Sequence, residues 1–301
     1  LHLSLRRQRQ MCIRDRGLPD MSFSEAAAAG AKSVVIGVAP SGGVLKAGWV
    51  SVLAEAIRSG LSLVSGLHRK LSEESELVKV AAASGQQLID IRVPPASIPI
   101  ATGRRRSGKR LLMVGTDCCV GKKYSALALH KALVERGIAA TFRATGQTGI
   151  LIAGGGIPMD AVVSDFLSGA AETLTPDAAS GHWDVIEGQG SLFHPAYAAV
   201  TLGLIHGSQP DAMVLCHAVG RTVIDEYEDY PVPVLRECIT QYERAARVTN
   251  EQSRVVCVSL NTEGLNDAEA LAACDKVSTE TGLQCVDPMR HVLDPILDVL
   301  P

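Results

Sequence analysis

Residues 111–133 read LLMVGTDCCVGKKYSALALHKAL, and this stretch decides the fold of the chain. An apolar run comes first, a glycine-containing loop follows, and residues with helical spacing begin at Lys122. A strand, a loop and a helix in this order form a phosphate-binding loop, in which backbone N–H groups, a lysine and the positive end of the helix hold an anion. The stretch therefore predicts an α/β domain with an anion site at its first strand–helix junction.

The loop departs from the usual GxxxxGK[ST] pattern at two positions. Gly115 lies one residue earlier than the pattern allows, and Lys123 stands where a Ser or Thr hydroxyl would bind Mg²⁺. Two lysines suit an anion better than a metal, so we expect the loop to bind phosphate groups without a metal ion; a purely structural glycine turn is the alternative. The predicted binding residues are Gly115, Thr116, Asp117, Cys118, Cys119, Val120, Gly121, Lys122 and Lys123.

Strand-like runs alternate with helical patterns along the rest of the chain, which favours parallel sheets. The segment 93–109 is rich in proline, glycine and arginine and is the best linker candidate. We therefore predict an α/β fold with an N-terminal Rossmann-like parallel sheet domain at 17–100 and a larger P-loop-containing α/β domain at 101–301. Helices in the second domain are predicted at 122–136, 158–172, 233–247 and 267–280, and strands at 111–114, 139–143, 183–186, 211–216 and 254–260.

The first sixteen residues, LHLSLRRQRQMCIRDR, show neither a helical nor a strand period. Their MCIRDR string resembles translated adapter sequence, and the apolar core of a signal peptide is missing. We expect 1–16 to be a non-native or disordered segment.

Composition narrows the classes of function. The 301 residues carry a net charge of −3, which gives no reason to expect nucleic acid or a membrane surface as a partner. The eight cysteines include no CxxC pair and no metal-ligand spacing, which indicates a reduced, cytoplasmic setting. We expect a small-molecule substrate and a homo-oligomer, with no membrane segment.

Three later stretches end strands with polar residues. They are FRATGQTG at 142–149, VIEGQGSLFHP at 185–195 and VVCVSLNT at 255–262. Because the carboxyl ends of parallel strands meet at one edge of a sheet, we expect all three to open onto the phosphate loop.

The second domain resembles the dethiobiotin-synthetase branch of phosphate-loop proteins over residues 110–262. That family also spells its loop as GTD followed by VGK, has an EGxG segment where this chain has EGQG, and has a basic residue in a TG loop near Arg143. Its asparagine at a late strand end recognises a nucleotide base, which implies a role in cofactor binding for Asn261. The resemblance implies a fold and a direction for the pocket, but it does not settle the reaction.

From Gly17 to the end, the chain is similar to the D-glutamate N-acetyltransferase family. The motifs are long: residues 17–37, SGLHRKL, residues 101–129, residues 142–172, residues 182–217 and CVDPMR. This resemblance implies two domains, acetyl-CoA as co-substrate, no metal, and transfer of an acetyl group to the amine of D-glutamate in D-amino acid catabolism. Relative to the family, we expect the N-terminal domain to be truncated, lacking its opening strand and helix.

Acetyl transfer to an amine needs a base and a donor for the oxyanion. The candidate catalytic residues are Glu187, His194, His206 and His217, where His206 is expected in a glycine-flanked loop; for each histidine a structural hydrogen bond is the alternative role. A dicarboxylate acceptor requires cations, and Arg143 is the first candidate and Arg221 the second; a surface role is the alternative for Arg221. Further hydrogen bonds to the substrate are expected from Thr145, Gln147 and Gln189.

Three alternatives stay open. A Mg-ATP-dependent ligase or kinase of the dethiobiotin-synthetase type would hold Mg²⁺ with Glu187 and Asp117. A CoA or nucleotide sensor without turnover is the second, and it is disfavoured by the many reactive side chains at strand ends. Within the acetyltransferase reading, Cys118 or Cys119 is a less favoured carrier of the acetyl group, because a thiol beside lysines can ionise more readily.

Overall fold

The structure is a computed structural model, and it describes residues 19–38, 45 and 48–301. The segment 1–16, expected to be non-native or disordered, lies outside the described residues. The chain divides into two compact units, with the boundary between Val93 and Pro94.

The first unit is built on a three-stranded parallel sheet. Its strands are β1 (Ser33–Ile36), β2 (Ser62–Ser65) and β3 (Leu88–Asp90), paired in the order β1-β2-β3. The helices are α1 (Phe23–Ala28), α2 (Trp49–Arg58) and α3 (Ser75–Ser84). The apolar sides of α2 and α3 pack against Leu63 of the central strand, and this contact forms the core of the unit.

The second unit contains a six-stranded parallel sheet. Its strands are β4 (Lys109–Gly115), β5 (Ala140–Arg143), β6 (Trp183–Ile186), β7 (Ala212–Ala218), β10 (Arg254–Asn261) and β11 (Gln284–Val286), in the order β11-β10-β7-β4-β6-β5. Leu111 to Val114 of β4 are all at most 1% exposed, as expected of a central strand covered on both faces. An antiparallel pair, β8 (Val223–Ile224) and β9 (Tyr227–Pro231), follows β7.

Helices cover both faces of this sheet. Apolar residues of α4 (Lys122–Glu135) and α10 (Asp294–Leu297) form one core. The opposite core is formed by α6 (Leu167–Leu174), α7 (Ala198–Ser208), α8 (Leu235–Arg247) and α9 (Asp267–Thr281), while α5 (Gln147–Ala153) follows β5. No helix among the described residues is long and apolar enough to cross a membrane.

The phosphate loop lies at the point where the order in which the chain adds strands to the sheet reverses. After β4 the chain builds β5 and β6 on one side, and it then crosses to β7, β10 and β11 on the other side. Ligands of open α/β sheets bind outside the carboxyl ends of the strands at such a switch point. The loops after β4, β6 and β7 therefore adjoin one another.

The prediction of a helix at 158–172 is wrong for the first half of that range. Two short 3₁₀ turns occupy Met159–Ala161 and Ser164–Phe166, and the α-helix begins only at Leu167. The sequence reading also missed α7, because that helix is apolar on all sides and has no amphipathic period. Gly203 and Gly207 of α7 let it lie directly against α6, where an added Cβ would come within 2.7 Å of Leu167 Cβ or 2.1 Å of the Ser168 carbonyl oxygen.

Candidate active site

The phosphate loop joins the end of β4 to the first turn of α4. Gly121 immediately precedes the helix in the left-handed region (φ 102°), and Cys119 also has a positive φ of 55°. A Cβ on Gly115 would lie 2.9 Å from Val120 Cγ2 and 3.1 Å from Lys122 Nζ. The loop thus curls back tightly over the end of its own strand, and glycine is required at both ends of the curl.

Lys122 supplies a buried positive charge beneath the loop. Its Nζ donates to the carbonyl oxygen of Asp117 at 2.7 Å, and the residue is only 7% exposed. Burial lowers the pKa of Lys122, and no carboxylate of the described chain lies within 4 Å of Nζ. A desolvated ammonium with only a carbonyl partner favours an anion in the loop, since an anion would supply the missing counter-charge.

Asp117 fixes the segment after β7 to the loop. Its Oδ1 accepts from the Cys118 backbone N–H at 2.6 Å, and its Oδ2 accepts from the Asp225 N–H at 2.8 Å and from Arg221 Nη1 at 3.2 Å. Arg221 Nη1 also lies 2.9 Å from Asp225 Oδ1. The carboxylate of Asp117 is fully buried, so these charged hydrogen bonds hold the β8–β9 hairpin beside the phosphate loop.

His217 lies at the carboxyl end of β7 and contacts the loop through Thr116. The Nδ1 atom of His217 and the Oγ1 atom of Thr116 are 2.8 Å apart. Burial, together with the nearby charge of Arg221, lowers the pKa of His217 to about 4. The ring is therefore neutral near pH 7 and binds a proton only weakly.

His194 lies against the loop from the other side. Its Nδ1 accepts the Ala196 backbone N–H at 3.1 Å, so the neutral ring carries its proton on Nε2. The ring is held between Tyr197, with centroids 4.5 Å apart, and Tyr227, at 5.1 Å. Burial lowers the pKa of His194, which keeps the ring a neutral hydrogen-bond donor.

One group in the described part of the chain has the residue types and spacing of a metal site. Potential ligand atoms of Asp117, Cys118 and His194 lie within 4.8 Å of one another. The positive charge of Arg221 on Asp117 opposes a cation there. A metal on Nε2 would also require His194 to lose a proton while Nδ1 still accepts a hydrogen bond. Burial raises the pKa of the Cys118 thiol to about 11, which disfavours the thiolate that a metal needs.

Glu187 directly follows β6 and is anchored by the turn that precedes α5. Its Oε2 accepts the backbone N–H groups of Thr145 at 2.9 Å and Gly146 at 3.0 Å, and Thr145 Oγ1 donates to the Glu187 carbonyl oxygen at 2.7 Å. Gln189 Nε2 donates to the same hydroxyl at 3.2 Å. Burial raises the pKa of Glu187 despite the two N–H groups, so this carboxylate is a stronger base than an exposed one.

With this geometry in view, comparisons with known proteins give the family. The model of the domain of unknown function DUF1611, described as a P-loop domain, matches residues 99–297, and the model of its N-terminal Rossmann-like domain matches residues 6–94. D-glutamate N-acetyltransferase of Tritonibacter scottomollicae is 50% identical over 289 residues, covering 96% of this chain and 87% of that protein. The protein of the same name from Pseudoalteromonas sp. is 48% identical over 286 residues, covering 95% and 86%. This chain belongs to the D-glutamate N-acetyltransferase family.

A solved structure agrees with the family model. The crystal structure of a DUF1611 family protein from Anabaena variabilis has a TM-score of 0.87 to this chain at 38% identity, over 93% of this chain and 82% of that one. Membership of the D-glutamate N-acetyltransferase family makes the chain an acyltransferase. The predicted family and the predicted α/β fold, Rossmann-like followed by P-loop, are confirmed.

Two of the predicted site residues, His206 and Arg221, have surroundings that differ from those expected in a D-glutamate N-acetyltransferase site. His206 is in the last turn of helix α7, not in a loop, and one ring nitrogen lies 3.1 Å from the Ala245 carbonyl oxygen. Since α7 runs from the end of β6 towards the start of β7, His206 lies at the edge of the sheet opposite the phosphate loop. Arg221 is shared between the Asp117 and Asp225 carboxylates, so its charge is already compensated.

Arg143 ends β5, as expected, but its guanidinium also has a partner. Its Nε donates to Asp184 Oδ1 at 2.7 Å, and that aspartate is 2% exposed. Gln147 is the first residue of α5, and Asn261 ends β10 with its Cβ 3.9 Å from the position of a Cβ on Gly121. The loop residues, Glu187, His194, His217 and Asn261 are thus all brought to the carboxyl edge of the sheet.

The sequence reading missed the residues that hold these side chains in place. Asp184 is an acidic residue inside the apolar run WDVI, and that unusual position was a signal that it pairs with a cation. Tyr197 and Tyr227 carry no comparable signal, because they lie 30 residues apart in the sequence and meet only across His194.

Proposed function

We propose that this chain transfers an acetyl group from acetyl-CoA to the amine of D-glutamate. The relatives that share about half of its residues carry the name D-glutamate N-acetyltransferase, which supports the reaction and the acceptor. The observation that carries the proposal is the buried, desolvated Lys122 under an anion loop whose Mg²⁺ hydroxyl is replaced by Lys123.

The phosphate loop is the proposed site for the diphosphate of acetyl-CoA. The backbone N–H groups at the start of α4 and the ammonium of Lys122 both place positive charge at the phosphate loop. The diphosphate of acetyl-CoA is not cleaved during acetyl transfer, so a metal that stabilises a leaving phosphate is not needed.

Glu187 is the proposed general base. An ammonium group cannot attack a thioester, so one of its protons must be removed first. His217 is too weak a base, with a pKa of about 4, and the unprotonated nitrogen of His194 is occupied by the Ala196 N–H. Glu187 is buried with its pKa raised, and the backbone N–H groups of Thr145 and Gly146 fix its position.

His194 is the proposed donor to the developing oxyanion. Its tautomer leaves a proton on Nε2, and its aromatic neighbours hold the ring without ionising it. A neutral, fixed N–H donor that needs no reorganisation is the type of group that stabilises a tetrahedral intermediate.

Release of free CoA thiol tests the proposed function directly. The purified chain is mixed with acetyl-CoA and D-glutamate, and thiol release and the acetylated product are both followed. Isothermal titration of acetyl-CoA against Lys122→Ala should show weakened binding, with thermal unfolding as a check that the variant is folded. Unchanged affinity would remove the loop from acetyl-CoA binding.

The ligase or kinase alternative makes a different product, ADP. It would need Asp117 and Glu187 to hold Mg²⁺, yet the Asp117 carboxylate is bonded to Arg221 and two N–H groups, and Glu187 Oε2 to two more. These contacts disfavour it. A sensor without turnover would bind acetyl-CoA and yield no product in the same assay.

Three further expectations stay predictions: a homo-oligomer, a cytoplasmic location and a role in D-amino acid catabolism. Sedimentation of the purified chain tests the first of them.

A further inference from the structure

The acceptor proposed above carries two carboxylates, and the two arginines predicted to bind them are already paired. Arg143 is bonded to Asp184, and Arg221 lies between Asp117 and Asp225. Recruiting either arginine would leave a nearly or fully buried aspartate without its partner, which is costly. A cation that has no buried carboxylate partner would meet the acceptor at a lower cost.

Lys123 has the position and the freedom for this role. It is the second residue of α4, directly after the buried Lys122, and its side chain is only partly buried. Its Nζ lies 5.0 Å from the centre of the Tyr124 ring, and no carboxylate of the described chain is within 4 Å of it. Its ammonium thus lies over an aromatic face and has no ion-pair partner among the residues that the structure describes.

The two lysines of the loop differ in what they face. Lys122 points under the loop to the Asp117 carbonyl oxygen, whereas the charge of Lys123 acts on Glu187 and opposes the rise in the pKa of that carboxyl. Lys123 and Glu187 are nevertheless not in direct contact. A base and a cation that interact electrostatically without direct contact match an amine and a distal carboxylate of one molecule.

We propose that Lys123 binds the side-chain carboxylate of the acceptor while Glu187 takes the proton from its amine. This assignment rests on the proposed function and adds the residue that selects an acidic amino acid. It also explains why a lysine stands where phosphate loops that hold Mg²⁺ have a hydroxyl: the position serves the acceptor, and Lys122 alone serves the donor.

The experiment compares D-glutamate with D-glutamine, which lacks the side-chain charge, on the wild type, Lys123→Ala and Lys123→Arg. We expect Lys123→Ala to lower kcat/KM for D-glutamate by roughly 10- to 100-fold, mainly through KM, as for a lost hydrogen bond to a charged group. The value for D-glutamine and the affinity for acetyl-CoA should stay unchanged, and Lys123→Arg should restore part of the preference. Lys131→Ala is the matched control, because Lys131 lies on the exposed side of the same helix with Glu135 as its partner.

Equal losses for D-glutamate and D-glutamine, or a loss of acetyl-CoA affinity with the preference intact, would overturn the proposal. Titration of D-glutamate into the same variants separates it from the proposed function. If the wild type binds D-glutamate but transfers no acetyl group, while Lys123→Ala binds it much more weakly, the function fails and the subsite stands. If wild type and Lys123→Ala bind D-glutamate equally, the subsite fails.

Discussion

Gly149→Ala should damage the candidate active site through the anchoring of Glu187. Gly149 lies in the first turns of α5, and a Cβ there would be 2.2 Å from Glu187 Oε2 and 2.9 Å from its Cδ. Ordinary contact begins at 3.4 Å, so the carboxylate must retreat by roughly 1 Å, beyond hydrogen-bond range of the Thr145 and Gly146 N–H groups.

The expected cost follows from these two hydrogen bonds. Each bond to a charged acceptor contributes about 1.5–3 kcal/mol, and alanine returns about 1 kcal/mol of helix propensity. A net loss of about 2–5 kcal/mol corresponds to a fall in melting temperature of roughly 4–20 °C for a domain of this size. Loss of the fixed base should in addition lower kcat.

Gly155→Ala is the matched control for this substitution. Gly155 lies just after α5, has no positive φ, and an added Cβ would meet nothing within 4 Å. Thermal unfolding and acetyl transfer are measured on both variants. If Gly149→Ala unfolds at the same temperature as Gly155→Ala and keeps the wild-type kcat, the anchoring of Glu187 contributes neither to stability nor to catalysis.

Three further outcomes follow from other contacts. Asp117→Asn should weaken the charged bond to Arg221 and loosen the β8–β9 hairpin; limited proteolysis should then cut the hairpin faster, and an unchanged cleavage rate contradicts this role. The pKa of His217 is lowered from the ordinary 6.5 to about 4, so the folded state binds fewer protons than the unfolded chain and stability is lost as pH falls from about 6.5 to 4. The loss is at most about 3.4 kcal/mol, and His217→Asn should flatten this part of the stability–pH curve. Gly207→Ala should lower the melting temperature, because its Cβ would come within 2.1 Å of the Ser168 carbonyl oxygen; a variant as stable as the wild type refutes that close packing.

The alternation of strands and helices was readable from the sequence because the core strands are continuous apolar runs. β6 and the start of α4 were predicted at the residues where they occur, since a glycine or a charged residue marks these boundaries. Helix α7 was not predictable from periodicity, because its exposed residues Ala199 and Leu202 are as apolar as its buried ones, and its packing on α6 depends on two glycines. A helical period is visible in a sequence only where the exposed side of the helix is more polar than its buried side.

The residues of the candidate site could be predicted from the sequence, but the partners that their side chains bind could not. Motifs at the carboxyl ends of strands brought Glu187, His194 and His217 to one edge, as parallel topology requires. The sequence could not show that Arg143 and Arg221 have buried carboxylate partners. Such pairs join strands and loops whose spatial order is set by the switch point at β4, and a linear pattern does not contain that order.

The distribution of charge around the loop is the strongest physical argument for transfer rather than hydrolysis. Hydrolysis of a nucleotide needs carboxylates that are free to hold a metal. The Asp117 carboxylate instead accepts hydrogen bonds from Arg221 and from the backbone of the β8–β9 hairpin. Among the described residues no carboxylate then contacts Lys122 or Lys123, and the charge of Lys123 acts on Glu187. Two cations with different surroundings, one desolvated and one partly exposed, can hold two different anions at once. A bisubstrate reaction between an anionic donor and an anionic acceptor needs this separation, and a single-nucleotide hydrolase does not.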